Sequence, residues 1–322
     1  MRTALLLALA SSLALSGSGC EKAKGKSSGP LGDDDIAMLK DIPGGNVAVI
    51  GGNYMKMQNF MQSSLGQFAE DAMDKMGAGK GFKDWMACFA DKKNLKIAGG
   101  VALQGGLEMR LAFRGMTIDQ IDACATKAGF THTLDPDHKF VEIEVPAGLA
   151  GTAAQGYLAL PDGTIYNRQR VQISLIPTVE ASTREDLEAD AKKLATSNAA
   201  GDKALLALAA KADRGQSFWF AGSGKGTPVA DKVGDVFGSM DVENGLKMDV
   251  TVDFADKDMA KQLDDGLDQV KKMKSSLPPD MRNLFDDINL HRDGGEVRIV
   301  AKLSDAQLKS LSKMGGLGGG LD

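Results

Sequence analysis

Gly106-Leu107-Glu108-Met109-Arg110-Leu111-Ala112-Phe113, and again Gly245-Leu246-Lys247-Met248-Asp249-Val250-Thr251-Val252, decide how this chain folds. Both stretches begin with Gly and alternate apolar with polar side chains, the period of a half-buried strand. Each follows another strand pattern and a tight turn: Ile97 to Leu103 with Gln104-Gly105, and Val236 to Val242 with Glu243-Asn244. Asn244-Gly245 is a strong hairpin signal, because both turn positions tolerate positive φ. Each stretch is followed by a helix pattern with an N-cap residue at the matching place, Thr117 and Asp256. In the second of these helices Met259, Leu263, Leu267 and Val270 fall on one stripe.

The likeness between the halves extends outward. Val47 to Gly51 and Phe218 to Gly222 are apolar strands ending in Gly, each behind a short helix pattern. Closing hairpins match as well: Phe140 to Val145 in the first half, and Glu296 to Leu303 after the Asp293-Gly294-Gly295 turn in the second. The first half carries extra pieces, a Met-rich helix pattern from about Lys56 to Met76 and a strand pair, Gly156 to Leu160 and Thr164 to Leu175, around Pro161-Asp162-Gly163. Thr183 to Thr196 reads as a capped helix between the halves. Alternating strands with more hairpins than crossovers give an α+β class with antiparallel sheet. The repeat admits two packed domains or one continuous sheet. The expectation is two related lobes, each an antiparallel sheet with helices packed on one face.

Composition bounds the rest. The chain has 322 residues, 43% hydrophobic and 25% charged, which suffices for a core of ordinary size. A net charge of −5 and 5% aromatics argue against nucleic acid, which calls for a basic patch and stacking platforms.

The amino end reads as an address. Met1-Arg2 is a short positive start, Ala4 to Leu15 is nearly all apolar, and Ser16-Gly17-Ser18-Gly19 are small. That order describes a secretory signal, removed on export. The apolar run is shorter than the roughly 20 residues of a spanning helix, and no later segment reaches that length. Leu15, Ser18, Gly19 and Cys20 resemble the lipobox of bacterial lipoproteins. The resemblance implies cleavage before Cys20 and acylation of its sulfur and amine. In this chain Gly17 stands where the family usually has Leu, and Leu15 lies two positions early. Ordinary cleavage near Ser16 or Ser18, leaving Cys20 free, is the alternative. Glu21 follows the Cys, where Asp is linked to inner-membrane retention, so the resemblance implies the outer membrane. The plan of the body likewise resembles that of uncharacterised exported bacterial lipoproteins, which assigns no activity.

The expected organisation is therefore a signal peptide at 1–19, the anchor Cys and flexible tether at 20–32, a first lobe at 33–180, the linking helix and second lobe at 181–314, and a Gly-rich tail at 315–322. The twelve tether residues Glu21 to Gly32 would reach roughly 20 Å. With Cys20 set aside, Cys88 and Cys124 remain, both in helix patterns with apolar neighbours. An exported compartment permits a disulfide, and the pair is expected to bond. Two buried free thiols are the alternative. A metal or redox pair lacks both a CxxC and a nearby His.

Motifs with chemistry are few. Gly222-Ser223-Gly224-Lys225-Gly226-Thr227 fails the phosphate-loop spacing, with Trp219 at the first Gly place, and reads as a turn ending in Pro228. His132, Asp135, Asp137 and His138 have the ligand types for a divalent ion, but Asp-Pro-Asp is ordinary turn chemistry. No metal and no cofactor is expected. Asp33-Asp34-Asp35 suits the positive end of a helix. Met57, Phe60, Met61 and Phe68, with Trp85 nearby, form an apolar stripe that is either core or an adaptable groove for an apolar ligand. No catalytic residues are assigned. The expected role is a membrane-anchored envelope protein with a non-enzymatic interaction or structural task, whose partners are the membrane and envelope proteins. A carrier of an apolar ligand such as lipid, and an enzyme of unknown type, are the alternatives.

Overall fold

The computed structural model describes residues 29–53, 79–90, 92, 94–103, 106–146, 152–172, 178–180, 182–228, 230–242, 245–272, 282 and 287–308. The leader, Cys20, Met57, Phe60, Met61, Phe68 and the Gly-rich tail lie outside them. Among the described residues no helix is long and apolar enough to cross a membrane.

The strands are β1 (Ala48–Asn53), β2 (Lys96–Leu103), β3 (Leu107–Arg114), β4 (His132–Leu134), β5 (Phe140–Pro146), β6 (Thr152–Ala159), β7 (Ile165–Gln172), β8 (Thr178–Glu180), β9 (Phe218–Ser223), β10 (Val233–Asp241), β11 (Leu246–Phe254), β12 (Ile288–Asp293) and β13 (Glu296–Leu303). They form one 13-stranded sheet in the order β12-β13-β11-β10-β9-β1-β2-β3-β7-β6-β5-β4, with β8 beside β7. Neighbours pair antiparallel, including β1 with β9, where Ala48 faces Gly222 and Ile50 faces Phe220. The two halves of the chain therefore share a single sheet, joined at β1–β9. Outward from that join one side runs β9, β10, β11, β13, β12 and the other β1, β2, β3, then β7 and β6, then β5 and β4. The β6–β7 hairpin is the piece inserted on the first side.

The helices are α1 (Asp33–Leu39), α2 (Gly79–Ala90), α3 (Ile118–Ala128), α4 (Arg184–Leu194), α5 (Lys203–Ala209) and α6 (Lys257–Lys272). Thr117 and Thr183 cap α3 and α4 with reciprocal capping boxes, each contributing about 1 kcal/mol. α3 ends at Gly129 in the left-handed region, φ 71°, where a residue without Cβ is favoured. Asp33, Asp34 and Asp35 occupy the first turn of α1, after Gly32 at the cap position, where they complement the helix dipole and Asp35 accepts from the Gly32 amide.

Helices pack on both faces of the sheet, which corrects the expected single covered face. Alternation along β2 and β3 sends Ile97, Leu111 and Phe113 to one side, where Trp85, Phe89, Ile121, Cys124, Phe130 and Ile143 from α2, α3 and beyond cover them. Ala98 and Ala112 point to the other side and meet Met38, Leu39, Leu205, Leu208 and Trp219. Further along that second side, Leu187 of α4 packs on Phe140, Leu158 and Tyr166. The reason is local: small residues at 98, 100 and 112 let α1 and its following loop approach the sheet closely, so the polar positions of β3 are roofed rather than wet.

Cys88 of α2 and Cys124 of α3 form a disulfide, Cα–Cα 5.6 Å, as expected from the two helix patterns. It cross-links residues 36 apart and should stabilise by about 4 kcal/mol in the chain-entropy model. Replacing both with Ser should lower the urea unfolding free energy by about that amount with little change in secondary structure; an unchanged midpoint would contradict the assignment.

Candidate functional site

A cleft of about 540 Å³ opens between the first turns of α1, the far end of β1 and the start of β2. Its floor is apolar. Trp219 lies across Gly51, where any Cβ would run into the indole, so the close approach requires Gly. Met38 stands beside it. The rim is charged. Lys96 Nζ donates to Asp34 Oδ2 at 2.6 Å, and Arg214 Nε lies 3.4 Å from Asp35 Oδ2. Arg214 also donates to the carbonyls of Pro30 at 2.8 Å and Ala209 at 3.3 Å. Lys96 holds the Asp34 carboxyl below its usual range, whereas burial pushes Asp35 up against the pull of Arg214. Carboxylates driven apart in this way suit acid–base work. Each is tied to a cation, however, and the lining residues include no hydroxyl, thiol or imidazole. The chemistry on offer is binding of a ligand with both charged and apolar parts.

A second polar centre is sealed inside the second face. Glu108, at 1% exposure, accepts from Arg110 Nη2 at 2.6 Å and from Arg170 Nη2 at 2.8 Å. Arg110 in turn donates to the Gly44 carbonyl at 2.9 Å. Next to it Arg168 donates to Asp190 of α4 at 2.9 Å and to Ser182 Oγ at 3.1 Å. Burial raises the Tyr166 phenol, which remains a donor to Asp190 Oδ2 at 3.2 Å. These residues fix α4 and the Pro43–Asn46 loop on the sheet. Their closure against water marks a structural centre. The sequence signal for it is the i, i+2 pairing of Glu108 with Arg110 on β3 opposite Arg168 and Arg170 on β7.

The four residues considered as metal ligands are drawn into separate contacts. His132 Nδ1 lies 2.8 Å from the Phe130 carbonyl and its Nε2 3.3 Å from Asp122 of α3. His138 Nδ1 lies 2.6 Å from Asp119 Oδ1. Asp135 and Asp137 both pair with Arg184, at the start of α4. Among the described residues no group of three or more His, Cys, Asp or Glu is placed to hold a metal ion. His138 adopts φ 54°, as a turn residue. Of the apolar stripe only Trp85 is described. It is 5% exposed and packs edge-on to Phe89 at 4.8 Å and near Phe130 and Tyr157, so it belongs to the closed core rather than to a cavity. The 222–227 stretch closes β9 and turns, with Thr227 Oγ1 donating to the Gly224 carbonyl at 2.6 Å.

Two outcomes follow from the electrostatics. Burial alone would raise Glu108, but hydrogen bonds from Arg170 and Arg110 outweigh it and hold the carboxyl below the usual value. A depressed folded-state pKa contributes stability that is complete above the unfolded value, about 4.3, and is lost as pH falls through the folded one. Glu108→Ala should therefore cost about 3–5 kcal/mol at neutral pH in urea unfolding, because it strands buried guanidinium groups, and the difference from the parent should shrink on acidification below that range. Asp119 raises the imidazole of His138 above its ordinary value. Its NMR titration should move down in Asp119→Asn, and an unmoved curve would break the pairing.

No family model matches the chain, and no curated protein matches it. Two solved structures are similar to it. Crystal form III of TP0453 is 10% identical with a TM-score of 0.47, over 85% of this chain and 97% of that one. Crystal form I of TP0453 is 10% identical with a TM-score of 0.42, over 86% of this chain and 97% of that one.

Proposed function

We propose that the chain is an exported envelope protein, held to a membrane by acyl chains on Cys20, whose sheet body serves a non-enzymatic interaction or structural role. The observation that carries the reading is the Cys88–Cys124 disulfide. A structural disulfide belongs to an oxidising compartment, which is where the leader Met1 to Gly19 would send the chain. The bond also removes two of the three cysteines, leaving Cys20 alone at the junction between leader and tether. Several acyl chains at one sulfur and one amine anchor a protein stably, at about 0.8 kcal/mol per buried CH₂. Glu21 favours the outer membrane. The matching strand order on either side of β1–β9 supports a body built from two related halves.

The buried charges support a non-enzymatic role. Glu108, Arg110, Arg168 and Asp190 are spent on one another, and His132 and His138 are held apart by different carboxylates. The carrier alternative, with a groove along Met57, Phe60, Met61, Phe68 and Trp85, loses support at Trp85, which is buried against Phe89, Phe130 and Tyr157.

Fractionation tests the anchor. The parent should partition with membranes and carry a mass increment of acyl chains at Cys20, and Cys20→Ala should leave the membrane fraction while keeping its disulfide. A variant that stays with the membrane, or a parent with an unmodified thiol at its mature terminus, would refute the proposal.

A further inference from the structure

The stretch that precedes the body is not free up to α1. Gly29 N donates to the Ala210 carbonyl at 2.9 Å, just past α5. Arg214 Nη2 donates to the Pro30 carbonyl at 2.8 Å. Leu31 packs against the core of Leu39, Leu205 and Trp219. Arg214 then reaches Asp35 on the first turn of α1, so one guanidinium clasps both the strap and the helix it leads into. Four residues assigned to the tether, 29–32, are thus docked on the body, and only eight, 21–28, separate Cys20 from the docked strap.

Magnitudes decide what this does. Nine links from Cys20 to Gly29 span at most about 30 Å when fully extended, and as a flexible coil roughly 16 Å. The sheet, at about 4.8 Å per strand spacing, is roughly 50 Å across. Along the strands the two ends of the sheet lie about 23 Å apart, more than the roughly 16 Å coil reach, so the tether favours the end on which its strap docks. The strap docks near the middle of the sheet, beside β1 and β9, at the strand ends that carry the Asp34, Asp35, Lys96, Arg214 and Trp219 cleft.

We infer that this end of the sheet is a membrane-facing surface, held against a bilayer with anionic headgroups. The inference rests on the lipid anchor at Cys20. Charge complementarity supports the partner. The eight residues between anchor and strap hold Lys22, Lys24 and Lys26 against the single Glu21, and basic residues beside an anchor are drawn to an anionic leaflet. At the same end Lys96 and Arg214 are paired with Asp34 and Asp35, so the tether lysines supply the net positive charge. The cleft then opens toward the headgroup layer, and its ion-paired rim and apolar floor match the mixed chemistry found there.

The test uses the full acylated chain on vesicles of phosphatidylethanolamine and phosphatidylglycerol, with an acceptor dye on the lipid headgroups. A donor is attached in turn to Asp33→Cys, at the strap, and to Leu103→Cys, at the opposite end of β2; both positions are exposed. Acylated Cys20 and the Cys88–Cys124 disulfide do not react with the label. The two sites lie about 23 Å apart along the strand direction, so transfer from position 33 should exceed that from position 103 on the order of twofold. A Gly/Ser spacer of about 20 residues inserted after Ser28, which lengthens the coil reach from roughly 16 Å to roughly 30 Å, should bring the two efficiencies together. Equal transfer with the native tether, or stronger transfer from position 103, would overturn the orientation. Chains that fail to bind vesicles at all would instead remove the anchor, and this inference with it.

Discussion

The pairing of β1 with β9 is the constraint on which the rest of the structure depends. It is an antiparallel ladder between segments from opposite halves of the chain, and it turns two strand groups into one sheet. A central strand has neighbours on both edges and so leaves no open edge at the join. On the face turned to α5, β1 uses residues of opposite size: Val49 lies fully buried, and Gly51 gives up its side chain to let Trp219 cross the backbone. The cleft exists because of that crossing, since the indole forms its floor.

Covering both faces has a consequence for polar residues. An alternating strand on an open sheet would leave Glu108 and Arg110 in water. Here α4 and the Pro43–Asn46 loop close over them, and buried charge is tolerable only when each group is paired and hydrogen-bonded. Glu108, Arg110, Arg168 and Asp190 satisfy that requirement collectively across β3, β7 and α4, and the partly exposed Arg170 reaches Glu108 from the rim. Such a network adds little net stability compared with apolar packing of the same shape, but it penalises misplacement of α4 heavily. Specification of one arrangement is the role that fits it best.

Much of the fold was legible in the amino-acid order because its signals are local. The β2–β3, β6–β7, β10–β11 and β12–β13 hairpins announce themselves by period-two alternation around turn residues, and Thr117 and Thr183 mark helix starts by capping chemistry. The Cys88–Cys124 bond was legible from compartment and parity. What escaped was non-local. Nothing in Val47 to Gly51 or Phe218 to Gly222 says that they pair with each other, because apolar runs read the same whether they end a sheet or join two. Alternation along Leu107 to Phe113 likewise does not reveal whether its polar side is wet or roofed. His132, Asp135, Asp137 and His138 are near one another in sequence, yet their partners, Asp119, Asp122 and Arg184, arrive from α3 and α4. The docking of residues 29–32 depended on Arg214, distant in the chain, and had no local signature.

Native-state hydrogen exchange tests the central join most directly. If β1–β9 unites the halves, the hydrogen-bonded amides of β1 and β9 should exchange only through global unfolding, with the same opening free energy as those of β3 and β11. Faster exchange confined to β1 and β9, or two separate openings that release β2–β3 and β10–β11 independently, would contradict a single sheet held together at its centre.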